Sequence, residues 1–266
     1  MLPHPITHQL RTLKLDGTAQ AIQEQQEQSQ ARELSFEERL TLLVDRELAH
    51  RDGRTTQRRL LAARLKVQAT LEAIDTKHPR GLDSKLLRTL GEGLWIREKR
   101  EVIITGPTGV GKTFIGCALA HQTWRPSVAS RAALAKNRKG YSAQYAQTGR
   151  LLQKLILAKG DGRHLKLLAQ LAKVQVLILD DWGLDTPSAE GRRILLEILD
   201  DRYERGSTII TSQFPTTVWH ENLGDPTLAD AILDRVLHHA YRTELKGESP
   251  RKKARKVTAV KSELSE

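Results

Sequence analysis

Apolar positions fall into three successive patterns along the chain. Up to about residue 75 the sequence is polar, with a Gln- and Glu-rich stretch from Gln20 to Glu33, and its only glycines are Gly17 and Gly53. Leu40, Leu43, Val44 and Leu48 recur at helical spacing, as do Leu60, Leu61, Leu65 and Leu71. Ser35 followed by Glu38 supplies a capping box for the first of these helices. Residues 1–75 are therefore expected to form a small all-α domain whose stripes pair with each other or with a partner protein. His78-Pro79-Arg80-Gly81-Leu82-Asp83 is punctuation: proline disfavours helix before it and glycine allows a turn, so 76–100 reads as linker and entry helix. From Glu101 the rhythm alternates. Val102 to Thr105, Tyr141 to Tyr145, Val174 to Leu179 and Thr208 to Thr211 read as strands. Lys112 to Gln122, Arg150 to Lys159 and Ala189 to Arg205 read as the helices between them, with a further helical stretch from Pro226 to Ala240. Such alternation predicts an α/β fold, a parallel sheet flanked by helices over 101–245. The third and fourth strands are nearly all apolar, as strands covered on both faces must be.

Composition narrows the class. Of 266 residues 39% are hydrophobic, enough for a core, so wholesale disorder is excluded. No apolar run approaches the ~18 residues of a membrane span. The N-terminus lacks a signal pattern, and a single cysteine, Cys117, excludes an intramolecular disulfide framework. A cytoplasmic protein with no membrane partner is expected.

Charge is lopsided. Lys and Arg number 43 against 32 Asp and Glu, a net of +11. Between Glu101 and Asp161 no acidic residue occurs, while nine basic ones do, among them Arg150, Lys154 and Lys159. A second cluster runs from Lys246 to Lys261 within a tail, 246–266, expected to be flexible. Polyanions are natural partners for such segments, because neutralising phosphates releases counterions; a solvated basic surface is the alternative.

The strongest chemical signal is Gly106-Pro107-Thr108-Gly109-Val110-Gly111-Lys112-Thr113, a P-loop between a strand and a helix. Its glycines let backbone amides converge on phosphate oxygens at a helix N-terminus. Lys112 is expected to neutralise the β and γ phosphates, and Thr113 to join a Mg²⁺ shell. Asp180 and Asp181 end an apolar strand at the sheet edge where ligands of parallel sheets bind. Asp180 is expected to hold Mg²⁺ through water, and Asp181 to orient or deprotonate the attacking water.

These residues resemble the IstB helper ATPases of bacterial insertion sequences, relatives of DnaC-type helicase loaders. The resemblance rests on the P-loop, Ile74-Asp75, Pro79 to Asp83, Lys139-Gly140-Tyr141, Leu177 to Gly183, Thr208 to Gln213, Asp234-Arg235 and Gly247 to Arg251. It implies an AAA+ ATPase that binds ATP and Mg²⁺, forms ATP-dependent homo-oligomers with active sites between subunits, and works with the transposase of the same element. By position, Gln213 fits the polar sensor of the γ-phosphate, Arg235 the arginine finger, and Arg251 a second sensor. One departure stands out: Trp124 to Asn137 looks like an extra segment, with Arg125, Arg131 and Lys136 available for DNA or a neighbouring subunit, or simply a surface loop.

The loop after the second strand, Gln147 to Arg150, leaves from the same sheet edge as the P-loop. In AAA+ assemblies comparable loops line a central channel, so Arg150, Lys154 and Lys159 are the expected contacts to duplex DNA, largely non-specific because no base-reading motif is present. The expected function is an ATP-dependent factor that oligomerises on DNA and recruits a transposase. A helicase loader and a non-hydrolysing DNA adaptor are the competing readings.

Overall fold

The computed structural model describes residues 5–28, 33–76, 78–122 and 140–247. The extra segment Trp124 to Asn137, Lys139 and the tail with Arg251 lie outside these residues. The chain divides into two compact units, Met1–Arg59 and Leu60–Glu266.

In the first unit, α1 (Pro5–Thr12) and α2 (Asp16–Glu27) precede α3 (Phe36–Ala63), which continues past the unit's end. The capping box forms: the Glu38 amide donates to Ser35 Oγ at 3.3 Å, and the Ser35 amide donates to Glu38 Oε2 at 2.8 Å. Hydrogen bonds from Ser35 hold the Glu38 carboxyl below its usual range. At Gly17 α2 comes so close to α3 that a Cβ would stand 2.7 Å from His50 Cβ and 2.9 Å from the Arg46 carbonyl. The neighbouring Thr18 amide donates to the buried Glu47 carboxylate at 3.0 Å.

Residues 60–75, grouped with the N-terminal helices by their periodicity, contribute Ala63, Ala69 and Ile74 to the core of the second unit. There α4 (Ser84–Gly91), capped by Asp83, and α5 (Leu94–Arg97) lead into β1 (Val102–Thr105) and α6 (Lys112–Gln122). Next come β2 (Ala143–Gln147), α7 (Thr148–Gly160), α8 (His164–Lys173) and β3 (Val176–Trp182). The unit continues with α9 (Ala189–Arg202), β4 (Ser207–Ser212), α10 (Trp219–Leu223), α11 (Pro226–Leu237) and β5 (Tyr241–Glu244).

The strands form one parallel sheet in the order β2–β3–β4–β1–β5. Side chains alternate between its faces. Val102, Ile104, Val176, Ile178 and Ile209 pack with α6 on one side; Ile103, Leu177, Leu179 and Ile210 pack on the other with α7, α8, α9 and α11. Covering on both faces is why β1 and β3 carry unbroken apolar runs and β4 is buried along its whole length. The sequence marks four strands, and β5 is an addition: Tyr-Arg-Thr-Glu is short and polar, its backbone held at the sheet edge by β1. Helix α8 is a second addition, burying Leu168 and Leu171. Because all strands run in parallel, the P-loop, Thr148, Asp180 and Gln213 leave from one edge, the crevice of an α/β sheet.

At the opposite edge Arg202 is buried and donates to the carbonyls of Leu171 at 2.7 Å, Val174 at 2.6 Å and Ser207 at 2.5 Å. Burial lowers its pKa to about 10, partly offset by Glu101. Burial also pushes the Glu101 carboxyl up to about 7, with its backbone hydrogen bond and Arg202 opposing. A carboxyl protonated more readily when folded than when unfolded stabilises the fold below its unfolded pKa, and that stabilisation is lost as pH rises through the folded value. Wild type should therefore lose melting temperature relative to Glu101→Gln between about pH 5 and pH 8. Parallel thermal melts of the two proteins across that range check this; a constant difference would refute it.

Candidate active site

The P-loop turns on its glycines. Gly106, Gly109 and Gly111 have φ of +139°, +88° and +98°, conformations other residues rarely adopt. A Cβ on Gly106 would stand 2.2 Å from the Leu245 carbonyl oxygen, so the loop is seated on the chain just after β5. The loop ends where α6 begins, at Lys112. Lys112 donates to the carbonyls of Gly106 at 2.7 Å and Pro107 at 2.8 Å. Burial lowers its pKa, while Asp181 and then Asp180 work the other way.

Arg80 braces this loop from outside. Only 5% exposed, it donates to the carbonyls of Val110 at 3.1 Å and Asp75 at 3.0 Å. It thereby ties the segment from Lys66 to Arg80 to the P-loop, and its own carbonyl accepts from the Lys246 amide at 2.7 Å.

Asp180 is fully buried. Its Oδ1 accepts from Thr113 Oγ1 at 2.8 Å and from Thr211 Oγ1. Its Oδ2 accepts from the Tyr145 hydroxyl at 2.6 Å and from Lys66 Nζ at 3.1 Å. Burial alone would raise its pKa, but the bonds from Thr211, Tyr145, Thr113 and Lys66 outweigh it and hold the carboxyl below its ordinary range. Asp180 is thus a preformed anion. The Tyr145 hydroxyl is pushed up, first by burial and then by its bond to Asp180.

Asp181 occupies a different environment. Its φ is +57°, where the register of β3 on β4 slips between Leu179 and Trp182. This kink turns the side chain off the regular ladder. Asp181 accepts from Gln147 Nε2 at 3.0 Å and lies 3.9 Å from Lys66 Nζ. Gln213, just after β4, accepts from Thr108 Oγ1 at 2.7 Å.

Lys112, Thr113, Asp181 and Gln213 line one cleft of about 450 Å³, which Val67, Ile74 and His78 also line. Asp180 joins them through Thr113. Other sequence-derived candidates lie elsewhere. Arg235, on α11, is not among the cleft's lining residues; its Nε donates to Asp200 and its Nη1 to Asp234, each at 2.8 Å, and its guanidinium stands 5.3 Å from the Tyr203 ring centre. The bond to Asp200 is the main reason its pKa is raised. Arg150 and Lys154 are exposed one turn apart on α7, and Lys159 pairs with Glu190 at 3.0 Å.

Lys66, Arg80, Tyr145 and Thr211 join the site without being marked as site residues by the sequence. Thr211 carried a usable signal, since a hydroxyl buried in a strand needs a partner. Lys66 carried none: it lies 114 residues from the carboxylate it pairs with.

The donor set can be tested against a metal and a nucleotide. Among the described residues no group of three or more His, Cys, Asp or Glu could hold an ion by itself. The hydroxyl of Thr113 against the Asp180 carboxylate is instead the sparse, all-oxygen pair that suits Mg²⁺ sharing phosphates and water. A glycine loop no side chain can fill, opening on an apolar recess, suits a nucleotide triphosphate.

Fold and site together define a P-loop ATP-binding domain of the AAA+ type. The sequence profile of the IstB-like ATP binding proteins matches residues 8–258, and the chain belongs to that family. It is 44% identical over 256 residues to the insertion sequence ATP-binding protein y4pL of Sinorhizobium fredii, covering 96% of this chain and 99% of that one. It is 47% identical over 218 residues to the ATP-binding protein of insertion sequence IS1162 from Pseudomonas fluorescens, covering 82% of this chain and 88% of the other. Among solved structures, DnaI shares the fold at a TM-score of 0.53 and 24% identity, over 67% of this chain and 92% of that one. AMPPCP-bound DnaA from Aquifex aeolicus does so at 0.52 and 19% identity, over 71% of this chain and 54% of that one. Among the described residues no helix is long and apolar enough to cross a membrane.

Proposed function

We propose that the chain is an ATP-hydrolysing assembly factor for transposition, which oligomerises on duplex DNA, recruits and stimulates the transposase of its insertion sequence, and is reset by hydrolysis. The observation that carries this reading is the convergence of Lys112, Thr113, Asp180, Asp181 and Gln213 at one cleft. P-loop amides and Lys112 grip the β and γ phosphates. Val67, Ile74 and His78 offer the recess for the base. Thr113 and Asp180 are the residues to hold Mg²⁺, which supplies charge neutralisation at the transferring phosphate. Asp181 orients the attacking water and takes its proton, and Gln213 reports on the γ-phosphate from the end of β4. Phosphoryl transfer needs little else from the protein than such positioning and charge.

Arg235 is assigned to the γ-phosphate of a neighbouring copy, exchanging its pairs with Asp200 and Asp234 for phosphate oxygens. Relatives named as insertion sequence ATP-binding proteins support a transposase as the partner. The chain's net charge of +11, with Arg150 and Lys154 exposed on α7, supports backbone contact to DNA.

Fluorescence anisotropy with a labelled duplex and an ATP analogue tests the DNA arm. Affinity should fall steeply with salt, and Arg150→Ala with Lys154→Ala should reduce the log–log slope by about 2 per bound chain. A flat salt response would remove the electrostatic contact. Phosphate release with and without DNA separates this reading from a non-hydrolysing adaptor, and pull-down against a transposase and a replicative helicase separates it from a loader.

A further inference from the structure

Lys66 plays no part in the chemistry assigned above, yet its ammonium sits among the acidic groups of the site. It lies 3.1 Å from Asp180 Oδ2 and 3.9 Å from Asp181 Oδ2, on the carboxylate that also accepts from Thr113. It reaches this place from a segment just beyond α3, outside the P-loop and the sheet, and stands 6.0 Å from the Tyr145 ring centre. Asp180 has no exposed surface, whereas the Lys66 side chain is 49% exposed. The anion is fixed and the cation is free to leave.

A buried carboxylate without a counter-charge is costly, so the fold gains from any cation placed there. A divalent ion arriving beside Thr113 at Asp180 Oδ1 meets the same carboxylate whose other oxygen, Oδ2, Lys66 holds. Two cations on one carboxylate repel, and the half-exposed one is the one able to yield.

We propose that Lys66 is the resident counter-cation of the Asp180–Asp181 pair, a rival that Mg²⁺ must displace, and thereby the residue that makes metal uptake depend on nucleotide. This rests on the reading that Thr113 and Asp180 hold the metal. Without nucleotide, Lys66 satisfies the carboxylates and metal binds weakly. The triphosphate shifts the balance in two ways: it adds oxygen ligands for the metal, and it brings an anion to the cleft that Lys66 also lines. Lys66 therefore suppresses loading of bare metal.

The test uses the full-length protein and Mn²⁺, with free ion counted by electron paramagnetic resonance, first without nucleotide and then with an ATP analogue. Lys66→Gln should tighten nucleotide-free Mn²⁺ binding by about tenfold, because a repelling charge has been removed from beside the site. With the analogue present the difference from wild type should shrink. Lys66→Arg, which keeps the charge, should behave as wild type; tighter metal binding confined to the neutral variants is an outcome a merely structural role for the side chain would not give. Lys66→Met is a second neutral variant should the glutamine protein fold poorly. Unchanged or weaker Mn²⁺ binding in the neutral variants would overturn the proposal, as would loss of nucleotide affinity with no change in metal affinity, which would make Lys66 a phosphate ligand instead. If wild type takes up no metal with nucleotide, the assignment of Thr113 and Asp180 fails, a result separate from any difference between variants.

Discussion

Lys112→Ala is expected to weaken ATP binding by about a hundredfold or more while leaving the fold intact. Hydrogen bonds to charged groups contribute roughly 1.5–3 kcal/mol each, so losing two at the phosphates costs two or more decades of affinity. The side chain is buried and is drawn toward the P-loop carbonyls of Gly106 and Pro107. Its removal therefore also loosens the loop whose shape the phosphates need. Titration with a fluorescent ATP analogue measures the effect, with a thermal melt to show that the protein is folded. Affinity within threefold of wild type would mean that the triphosphate is held elsewhere.

The second large effect separates binding from turnover. Asp181→Asn should cut phosphate release by about 10²–10⁴-fold, the usual contribution of a positioned base, and leave nucleotide affinity within a few-fold. The choice of asparagine matters. Asp181 sits at φ +57°, a conformation asparagine tolerates and alanine resists, so the backbone kink survives. The amide carbonyl can still accept from Gln147, which lies 3.0 Å from the native carboxylate. The variant should accumulate as the ATP-bound oligomer on DNA, visible by light scattering after ATP addition. Normal hydrolysis by Asp181→Asn would remove the carboxylate from the mechanism.

The two carboxylates show how far a sequence can carry such a site. That Asp180 and Asp181 end a buried strand beside a P-loop was legible, because both signals are local: a glycine spacing, and an apolar run ending in charge. Their different environments come from neighbours far along the chain. Asp180 is held as an anion by Thr113, Thr211 and Tyr145, from three separate elements, and by Lys66 from the segment after α3. Tyr145 reaches it only because β2 pairs with β3 in a register that sets Gln147 opposite Asp180. No periodicity in the sequence encodes that register.

The sheet was legible for the same reason and to the same extent. Strands covered on both faces announce themselves as apolar runs, so β1 and β3 stood out, and β4 did so through Ile209-Ile210 between β-branched threonines. The edge strand β5 has exposed side chains at alternate positions and is specified by backbone pairing, so its residues, though inside the α/β domain as read from the sequence, carried no apolar run to mark a strand. Arg235 illustrates the reverse. Its motif pointed to a catalytic arginine, while within its own chain it pairs with Asp200 and Asp234 and stacks on Tyr203. The proposed role at a neighbouring copy's γ-phosphate would require it to give up both pairs.

Calorimetric titration of the full-length protein with ATP, in the presence and absence of Mg²⁺, tests the shared premise most directly. The arrangement of Lys112, Thr113 and Asp180 predicts saturable uptake of one nucleotide per chain, strengthened by Mg²⁺ in wild type but not in Asp180→Asn. Absence of saturable heat, or the same Mg²⁺ enhancement in wild type and Asp180→Asn, would contradict it.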